Sequence, residues 1–333
     1  MSKQIVVTGA TGFLGSRIVE KLVEIKAYDR IIAAGRSLKP EYEIQSALVE
    51  YRLGDLGDLG YCRALVEGSV HIVNCASLSS PWGSAEAFYQ ANVVTQKNLI
   101  RAAQEADVQR YVYISTPSIY FAFYDRFEIR ESDPLPNPLV NAYAKTKLEA
   151  EKMLEQSGLS YISLRPRALV GRGDSVVMPR MIRAYREGRL RIIGDGENRA
   201  ELTAVSNVVQ AVQLSLEAPE EHCGESYSVT NGEAVKLWQA INYTLEKMGL
   251  EPVQQKVPYW LAYQIAGFME WISTTFQGGK EPALVRYSVG ILAQNMTINI
   301  DKIKERLGYE PQQSTYEAID EFVEWYQRTY PNA

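Results

Sequence analysis

The sequence predicts an α/β fold, a doubly wound parallel sheet with a smaller C-terminal lobe, and three observations carry that expectation. Short β-branched runs alternate with longer amphipathic stretches through the first half, as a parallel sheet covered by helices on both faces requires. A glycine-rich turn joins the first strand to the first helix. After residue 165 the alternation gives way to short elements punctuated by Pro166, Gly171, Gly173, Gly194 and Gly196. With 333 residues, 46% of them hydrophobic and 23% charged, the chain can bury a sizeable core and is not a disordered segment.

Taken in order, strands are expected over 4–8, 30–34, 48–53, 70–74, 110–115 and 161–165, each a short run rich in Val, Ile, Leu or Tyr. Helices are expected over 13–24, 59–67, 85–106 and 142–157, where apolar and charged residues mix over longer spans. The region 117–140 holds four prolines and many aromatics and reads as a long loop, a kind of segment that is usually functional or mobile. Residues 1–165, rejoined by about 203–230, form the larger unit; 166–202 and 231–333 form the smaller lobe. There is no fixed-period repeat and no low-complexity tract.

Thirty-five Lys and Arg against 40 Asp and Glu give a net charge of −5, which argues against a broad grip on nucleic acid or anionic membrane. Cys62, Cys75 and Cys223 are odd in number and lack C-x-x-C spacing, which fits a reducing, cytoplasmic compartment. Two histidines, His71 and His222, are too isolated for a zinc cluster, and no metal site is expected. Cys75 and His71 read as strand residues and His222 as part of a Glu-rich turn. The N-terminus enters a strand almost at once, so no signal peptide is expected. The most apolar stretch, 259–276, is interrupted by Gln264, Glu270 and Ser273-Thr274-Thr275 and reads as a helix, not a span.

The first strand runs into Thr8-Gly9-Ala10-Thr11-Gly12-Phe13-Leu14-Gly15, a G-x-x-G-x-x-G arrangement that opens a helix. Such glycines permit a tight turn and close backbone approach, so a pyrophosphate can sit over unpaired N–H groups at the positive helix end. In the order strand, turn, helix this is the Rossmann dinucleotide signature. The second strand ends before Arg36 and Ser37, where an acid would meet a free ribose 2′-OH and an arginine would pair with a 2′-phosphate. NADP(H) is therefore expected over NAD(H), with a plain exposed arginine as the rival reading. Asp55, ahead of Leu56 after the third strand, can accept from the adenine amino group or cap the next helix.

Among 21 tyrosines, a lysine follows four residues later only at Tyr143/Lys147 and Tyr243/Lys247. On a helix these positions share a face, so an ammonium can favour the phenolate and lower the tyrosine pKa. Tyr243/Lys247 lies far into the second lobe on an ordinary amphipathic helix. Tyr143/Lys147 opens the helix that follows Ser115-Thr116, at the carboxyl edge of the sheet, where open α/β folds bind ligands.

With TGATGFLG, the GDL after the third strand, VYISTPSIY, YAKTK and LRPRALVGRGD in this order, the chain resembles the extended short-chain dehydrogenase/reductase superfamily. The resemblance implies Thr116 as the hydroxyl that holds the substrate oxygen, Tyr143 as acid/base, and Lys147 as its partner and ribose ligand, with Ser115 as the fallback hydroxyl. Gly9, Thr11, Gly12, Phe13, Leu14, Gly15, Arg36, Ser37, Asp55, Leu56, Ala76, Tyr143, Lys147 and Pro166 are the implied cofactor contacts. Nucleotide-sugar epimerases and dehydratases usually carry Asn at the position of Ala168 and Gly at that of Phe121, and both departures count against a UDP-sugar. The 3β-hydroxysteroid dehydrogenase-like branch, which includes bacterial β-keto-acid reductases, resembles the chain further, through PWG at 81–83, RLRIIGDGENR, VTNGE and VPYWLAY. Many of its members place Asp where this chain has Asn207.

Tyr120, Phe121, Phe123, Tyr124 and Phe127 follow the catalytic strand, either anchoring the loop or meeting substrate. In the apolar helix, Leu261, Ile265, Phe268, Ile272 and Phe276 form one face, expected to dock on the core. Trp260, Tyr263, Gly267 and Trp271 form a second, open to a lipid-like substrate, a weak membrane-surface contact or the subunit contact of a homodimer. Trp82, Phe121, Trp260, Tyr263 and Trp271 are the candidate substrate residues; Arg189, Arg191 and Arg199 are either anion contacts or solvated surface. The resulting reading is an NADP(H)-dependent reductase or dehydrogenase acting on a hydroxyl or ketone of a small hydrophobic, steroid-like or β-keto-acyl molecule. Two rivals stand beside it: a nucleotide-sugar epimerase or dehydratase, which consumes no cofactor, and a dinucleotide-binding regulator without turnover, which has no need of the Thr116, Tyr143 and Lys147 set.

Overall fold

All six expected strands form in the computed structural model, which describes residues 3–331. They are β1 (Gln4–Thr8), β2 (Arg30–Gly35), β3 (Val49–Leu53), β4 (Ser69–Asn74), β5 (Arg110–Ile114) and β6 (Tyr161–Pro166); a seventh, β7 (Glu225–Val229), joins from the later chain. Their spatial order is β7-β6-β5-β4-β1-β2-β3, with every neighbouring pair parallel. Side chains alternate across such a sheet, and here both faces are apolar. Ile5 and Val7 pack with Ile18, Leu22, Val208 and Val212 of two helices on one face. Val6 packs on the other, among Leu65, Leu99 and Leu154. Strand order reverses between β1 and β4, so a crevice opens beyond Thr8 and Asn74.

Helices Phe13–Ile25, Leu59–Val66 and Ala142–Glu155 lie where the pattern places them. The stretch 85–106 is instead two α-helical pieces, Ala85–Phe88 and Thr95–Glu105, around a π-helical turn, Tyr89–Val94. That turn holds Asn92, whose amide accepts from Leu78 N at 2.8 Å and donates to Thr146 Oγ1 at 3.1 Å. It thereby ties the loop after β4 to the helix that carries Tyr143. Nor is 117–140 simply a loop: Pro117–Tyr120 is a 3₁₀ turn, and Arg126–Ile129 is a strand paired in parallel with Met296–Ile298. That small sheet also includes Arg199–Ala200 and Val235–Lys236.

A second core, with Val170, Ile182, Trp238, Leu245, Ala266 and Phe322, gathers the helices of the C-terminal half. Asn207 is buried there in a fully used amide: Nδ2 donates to Asn231 Oδ1 and Gln313 O, both at 2.7 Å, and Oδ1 accepts from the N–H groups of Gln312 and Gln313. A carboxylate cannot make the two donations, which accounts for asparagine at this position.

Helix Tyr259–Phe276 corrects the expected docking face. Ala262, Ala266 and Ser273 are its buried residues, because small side chains allow the backbone to approach, and Glu270 is neutralised by Arg286 at 2.6 Å. Leu261, Ile265, Phe268 and Phe276 are exposed, as are Trp260 and Trp271, so both faces contribute to an outward apolar surface, while Tyr263, Gly267 and Ile272 are half-buried. Among the described residues, no helix is long and apolar enough to cross a membrane.

Candidate active site

The glycine loop assigns a different task to each glycine. Gly9 has φ +65°, and a Cβ there would lie 2.9 Å from Ala76 N. Gly15 presses the helix onto the loop, with a hypothetical Cβ only 2.2 Å from Gly9 O. Gly12 is open, its nearest neighbour being Gly9 O at 3.5 Å. Gly12 also caps helix Phe13–Ile25 without a side-chain hydrogen bond, and the first turn carries no acid. The helix thus opens at the glycine loop with an uncapped, positive end, suited to an anion.

Around this loop, Gly35 backs onto Thr11, whose Oγ1 would be 2.1 Å from an added Cβ, and Arg36 and Ser37 follow exposed at the rim. Asp55 Oδ1 accepts from Gly57 N at 2.9 Å. It does not cap the following helix; Asp58 does, accepting from Gly60 N at 2.7 Å and Tyr61 N at 3.4 Å. Leu56 packs partly into the sheet core, and Ala76 N donates to Asn74 Oδ1 at 3.1 Å. Open ground at Gly12, an uncapped helix start and an exposed arginine at the rim together fit an anionic dinucleotide.

Across the switch point, Thr116 lies two residues past the end of β5 and caps the 3₁₀ turn, with its hydroxyl 3.1 Å from Ser118 N and 3.0 Å from Ser118 Oγ. The Tyr143 phenol lies within reach of the Ser79 and Thr116 hydroxyls, both of which act to lower its pKa. Ser115 Oγ, in contrast, is buried without a partner among the described residues. Asn141 caps helix Ala142–Glu155 by accepting from Ala144 N, which presents Tyr143 in the first turn and Lys147 one turn on.

Lys147 does not do what its spacing predicted. Its Nζ donates to Ile114 O at 2.6 Å and lies 4.1 Å from the centre of the Tyr113 ring. Burial lowers its pKa to about 7. The Tyr143 phenol is held above its usual 10 by burial, with the bonds to Ser79 and Thr116 pulling the other way.

Sequence reading missed Ser79, Ser118 and Tyr287. Tyr287 OH is 2.9 Å from Ser118 Oγ, and its ring packs on Phe121 at 5.2 Å. From there an aromatic ladder runs outward, Phe121 to Phe123 at 5.5 Å and Phe123 to Tyr263 at 5.4 Å. Two candidate substrate residues, Phe121 and Tyr263, are thus joined to the Thr116 hydroxyl chain. Trp82 is tied by its indole N–H to Gly279 O at 2.8 Å. Trp271 stacks instead on Phe268 and meets Phe276, both on the outward surface, and Trp260 is 67% exposed. Pro166 closes β6 opposite Val229. Tyr243 and Lys247 both bind Asp320, a structural arrangement, and His71 meets Tyr28 OH at 2.6 Å. Open clefts lined by Tyr243 and Tyr316 and by Tyr185 and Gln255 contain none of the Thr116 to Lys147 side chains.

The description "NAD dependent epimerase/dehydratase family" matches residues 5–230, which span the glycine loop, Thr116, Tyr143, Lys147 and β7. The chain belongs to this family. It is similar to the 2-alkyl-3-oxoalkanoate reductase of Stenotrophomonas maltophilia (strain K279a), 31% identical over 324 residues, 95% of this chain and 97% of the relative. It is 32% identical over 346 residues to 3beta-hydroxysteroid-dehydrogenase/decarboxylase isoform 1 of Arabidopsis thaliana, covering 95% of this chain and 79% of that one. Its fold matches that of the UDP-glucuronic acid 4-epimerase of Bacillus cereus solved with NAD, at TM-score 0.77 and 18% identity over 98% of this chain and 99% of that one. The chain is thus an oxidoreductase of the extended short-chain dehydrogenase/reductase type acting on CH–OH groups.

Proposed function

We propose that the chain is an NADP(H)-dependent reductase or dehydrogenase that interconverts a ketone and a secondary alcohol on a largely apolar substrate. What carries this reading is the convergence of Thr116 and Tyr143, with Lys147 one turn on, at the carboxyl edge of the sheet beside the glycine loop. NADP(H), when bound, supplies or accepts the hydride. The loop from Gly9 to Gly15 would hold its diphosphate, Arg36 and Ser37 the 2′-phosphate, Asp55 and Leu56 the adenine, and Ala76, Tyr143, Lys147 and Pro166 the nicotinamide half.

The side chains then divide the remaining work. Thr116 donates to the substrate oxygen and fixes it against the Tyr143 phenol. The phenol, its pKa raised by burial, is placed to give its proton to a forming alkoxide in the reductive direction. Residues 166–202 and 231–333 form the substrate lobe, and the ladder through Phe121, Phe123 and Tyr263 excludes water and favours an apolar body. The two relatives' names fit: each describes a reaction at one oxygen-bearing carbon of a mostly apolar molecule. Ala168 and Phe121, where nucleotide-sugar enzymes usually carry Asn and Gly, support the same choice.

A screen of ketones and alcohols against both nicotinamide cofactors, read by cofactor absorbance, tests the proposal. Net cofactor turnover on apolar ketones is expected. Conversion of a UDP-sugar without net cofactor change would overturn it.

A further inference from the structure

The hydroxyl of Thr116 is engaged before any substrate arrives. It accepts from Ser118 N at 3.1 Å and donates to Ser118 Oγ at 3.0 Å, so its single proton is already committed. A Thr116 that holds a substrate oxygen must take that proton back. Ser118 Oγ in turn lies 2.9 Å from Tyr287 OH, and either atom of that pair can donate. Three hydroxyls with one proton each form a chain that is fully paired in only two directions, from Thr116 toward Tyr287 or from Tyr287 toward Thr116. Only the second frees the Thr116 proton, with Ser118 N and Ser118 Oγ filling the two lone pairs of the threonine oxygen.

Tyr287 sits in the first turn of helix Arg286–Ala293, and that helix is held in place without its hydroxyl. The tyrosine ring packs edge-on against Phe121 at 5.2 Å, and a Cβ added at Gly290 would lie 2.7 Å from Phe121 Cζ. Arg286 donates to Glu270 through its backbone N at 2.7 Å and its Nε at 2.6 Å. A phenylalanine at 287 would serve this packing equally well, so the phenol adds something other than adhesion. A phenol is a better donor and a poorer acceptor than an alkyl alcohol, because its lone pair is drawn into the ring. Burial raises the Tyr287 pKa above its usual 10, so the proton stays on the oxygen. A phenol at this end of the chain therefore favours the direction that runs toward Thr116.

We infer that Tyr287 is a positioning residue for reduction of the ketone: its hydroxyl donates to Ser118, Ser118 turns to donate to Thr116, and the Thr116 proton is released to the substrate oxygen. The inference rests on the reductase reading above and adds to it the residue that sets the direction of the Thr116 bond. Reversal of the chain moves protons by rotation about C–O bonds and leaves the ring of Tyr287 on Phe121. A residue of the C-terminal half thereby governs a hydroxyl at the edge of the sheet.

The experiment follows reduction of 2-undecanone and acetophenone by the full chain with each reduced nicotinamide cofactor, as kcat, KM and single-turnover rate, alongside denaturant unfolding of every variant. Tyr287→Phe is expected to lower kcat and the single-turnover rate at least ~10-fold, the scale of one redirected hydrogen bond. KM, cofactor affinity and the unfolding midpoint should stay close to those of the unmodified protein. Ser118→Ala, which keeps Tyr287 and its ring contacts, should lower the rate by a similar factor and decides the matter should Tyr287→Phe fail to fold. In a Thr116→Val background, Tyr287→Phe should cost less than ~2-fold further, because the hydroxyl it directs is gone. Near-parental kcat in both single variants, or a loss that persists undiminished beside Thr116→Val, overturns the role of Tyr287 and leaves the reductase reading standing. So does a loss seen as a raised KM with a lowered unfolding midpoint, the mark of a plain staple between helix Arg286–Ala293 and the Ser118 turn. No turnover of any ketone by the unmodified protein with either cofactor overturns the reductase reading and this inference with it.

Discussion

Replacing Lys147 by Met should stabilise the cofactor-free protein while destroying its activity, and the size of the gain follows from the environment of the ammonium. Lys147 is 1% exposed, and burial lowers its pKa from 10.5 to about 7. At 1.36 kcal/mol per pH unit, that fall corresponds to about 5 kcal/mol of destabilisation where the unfolded chain is protonated and the folded one resists it. Met fills similar volume without charge, but the change forfeits the bond from Nζ to Ile114 O and the contact with the Tyr113 ring, together worth roughly 2–4 kcal/mol. A net gain of about 1–3 kcal/mol remains.

The sign gives a pH signature. The folded pKa lies below the unfolded one, so between about 7 and 10.5 the unfolded state binds the extra proton, and stability rises with pH. The advantage of Lys147→Met over the unmodified chain should therefore be greatest at and below about pH 7, shrink as pH rises above that, and reverse before 10.5, where the lost bond and ring contact are no longer offset. Denaturant unfolding of both proteins across that range is the assay, and titrations of other groups cancel in the difference. A variant no more stable than the parent near neutrality, or a difference that does not change with pH, would refute the reasoning.

The other predictions concern the site and its support. Tyr143→Phe should lower turnover at least ~100-fold with cofactor affinity nearly intact, measured by steady-state kinetics and cofactor titration, because the proton is lost and the ring kept. Arg36→Asp should invert a preference for NADP(H) over NAD(H); equal affinity of the unmodified protein for the two would return Arg36 to plain surface. Asn207→Asp should cost about 2–4 kcal/mol in denaturant unfolding, since the donations to Asn231 Oδ1 and Gln313 O become confrontations between acceptors. Tyr263→Ala should lower kcat/KM for long-chain substrates more than for short ones, whereas Trp271→Ala, on the outward surface, should leave chain-length selectivity alone.

The sequence alone determined whatever is written in short-range pattern. Short, near-continuous apolar runs marked the strands of the sheet from β1 to β6, because each must face apolar helices on both sides. The glycine loop was legible because its conformation depends on a few adjacent residues, and Tyr143/Lys147 because four residues make one helical turn. Tertiary structure decided what those groups meet. Lys147 is turned to Ile114 O, 33 positions away in the chain, and that choice belongs to the packing of a helix on β5. Ser118 and Tyr287, 169 positions apart, become neighbours only through the tertiary fold. The strand Arg126–Ile129 is too short to announce itself and exists through its partner Met296–Ile298. Helix Tyr259–Phe276 shows the limit most plainly: apolar periodicity records which residues share a face, but the buried side went to Ala262, Ala266 and Ser273, because the distance between backbones is set by the neighbours and not by the helix itself.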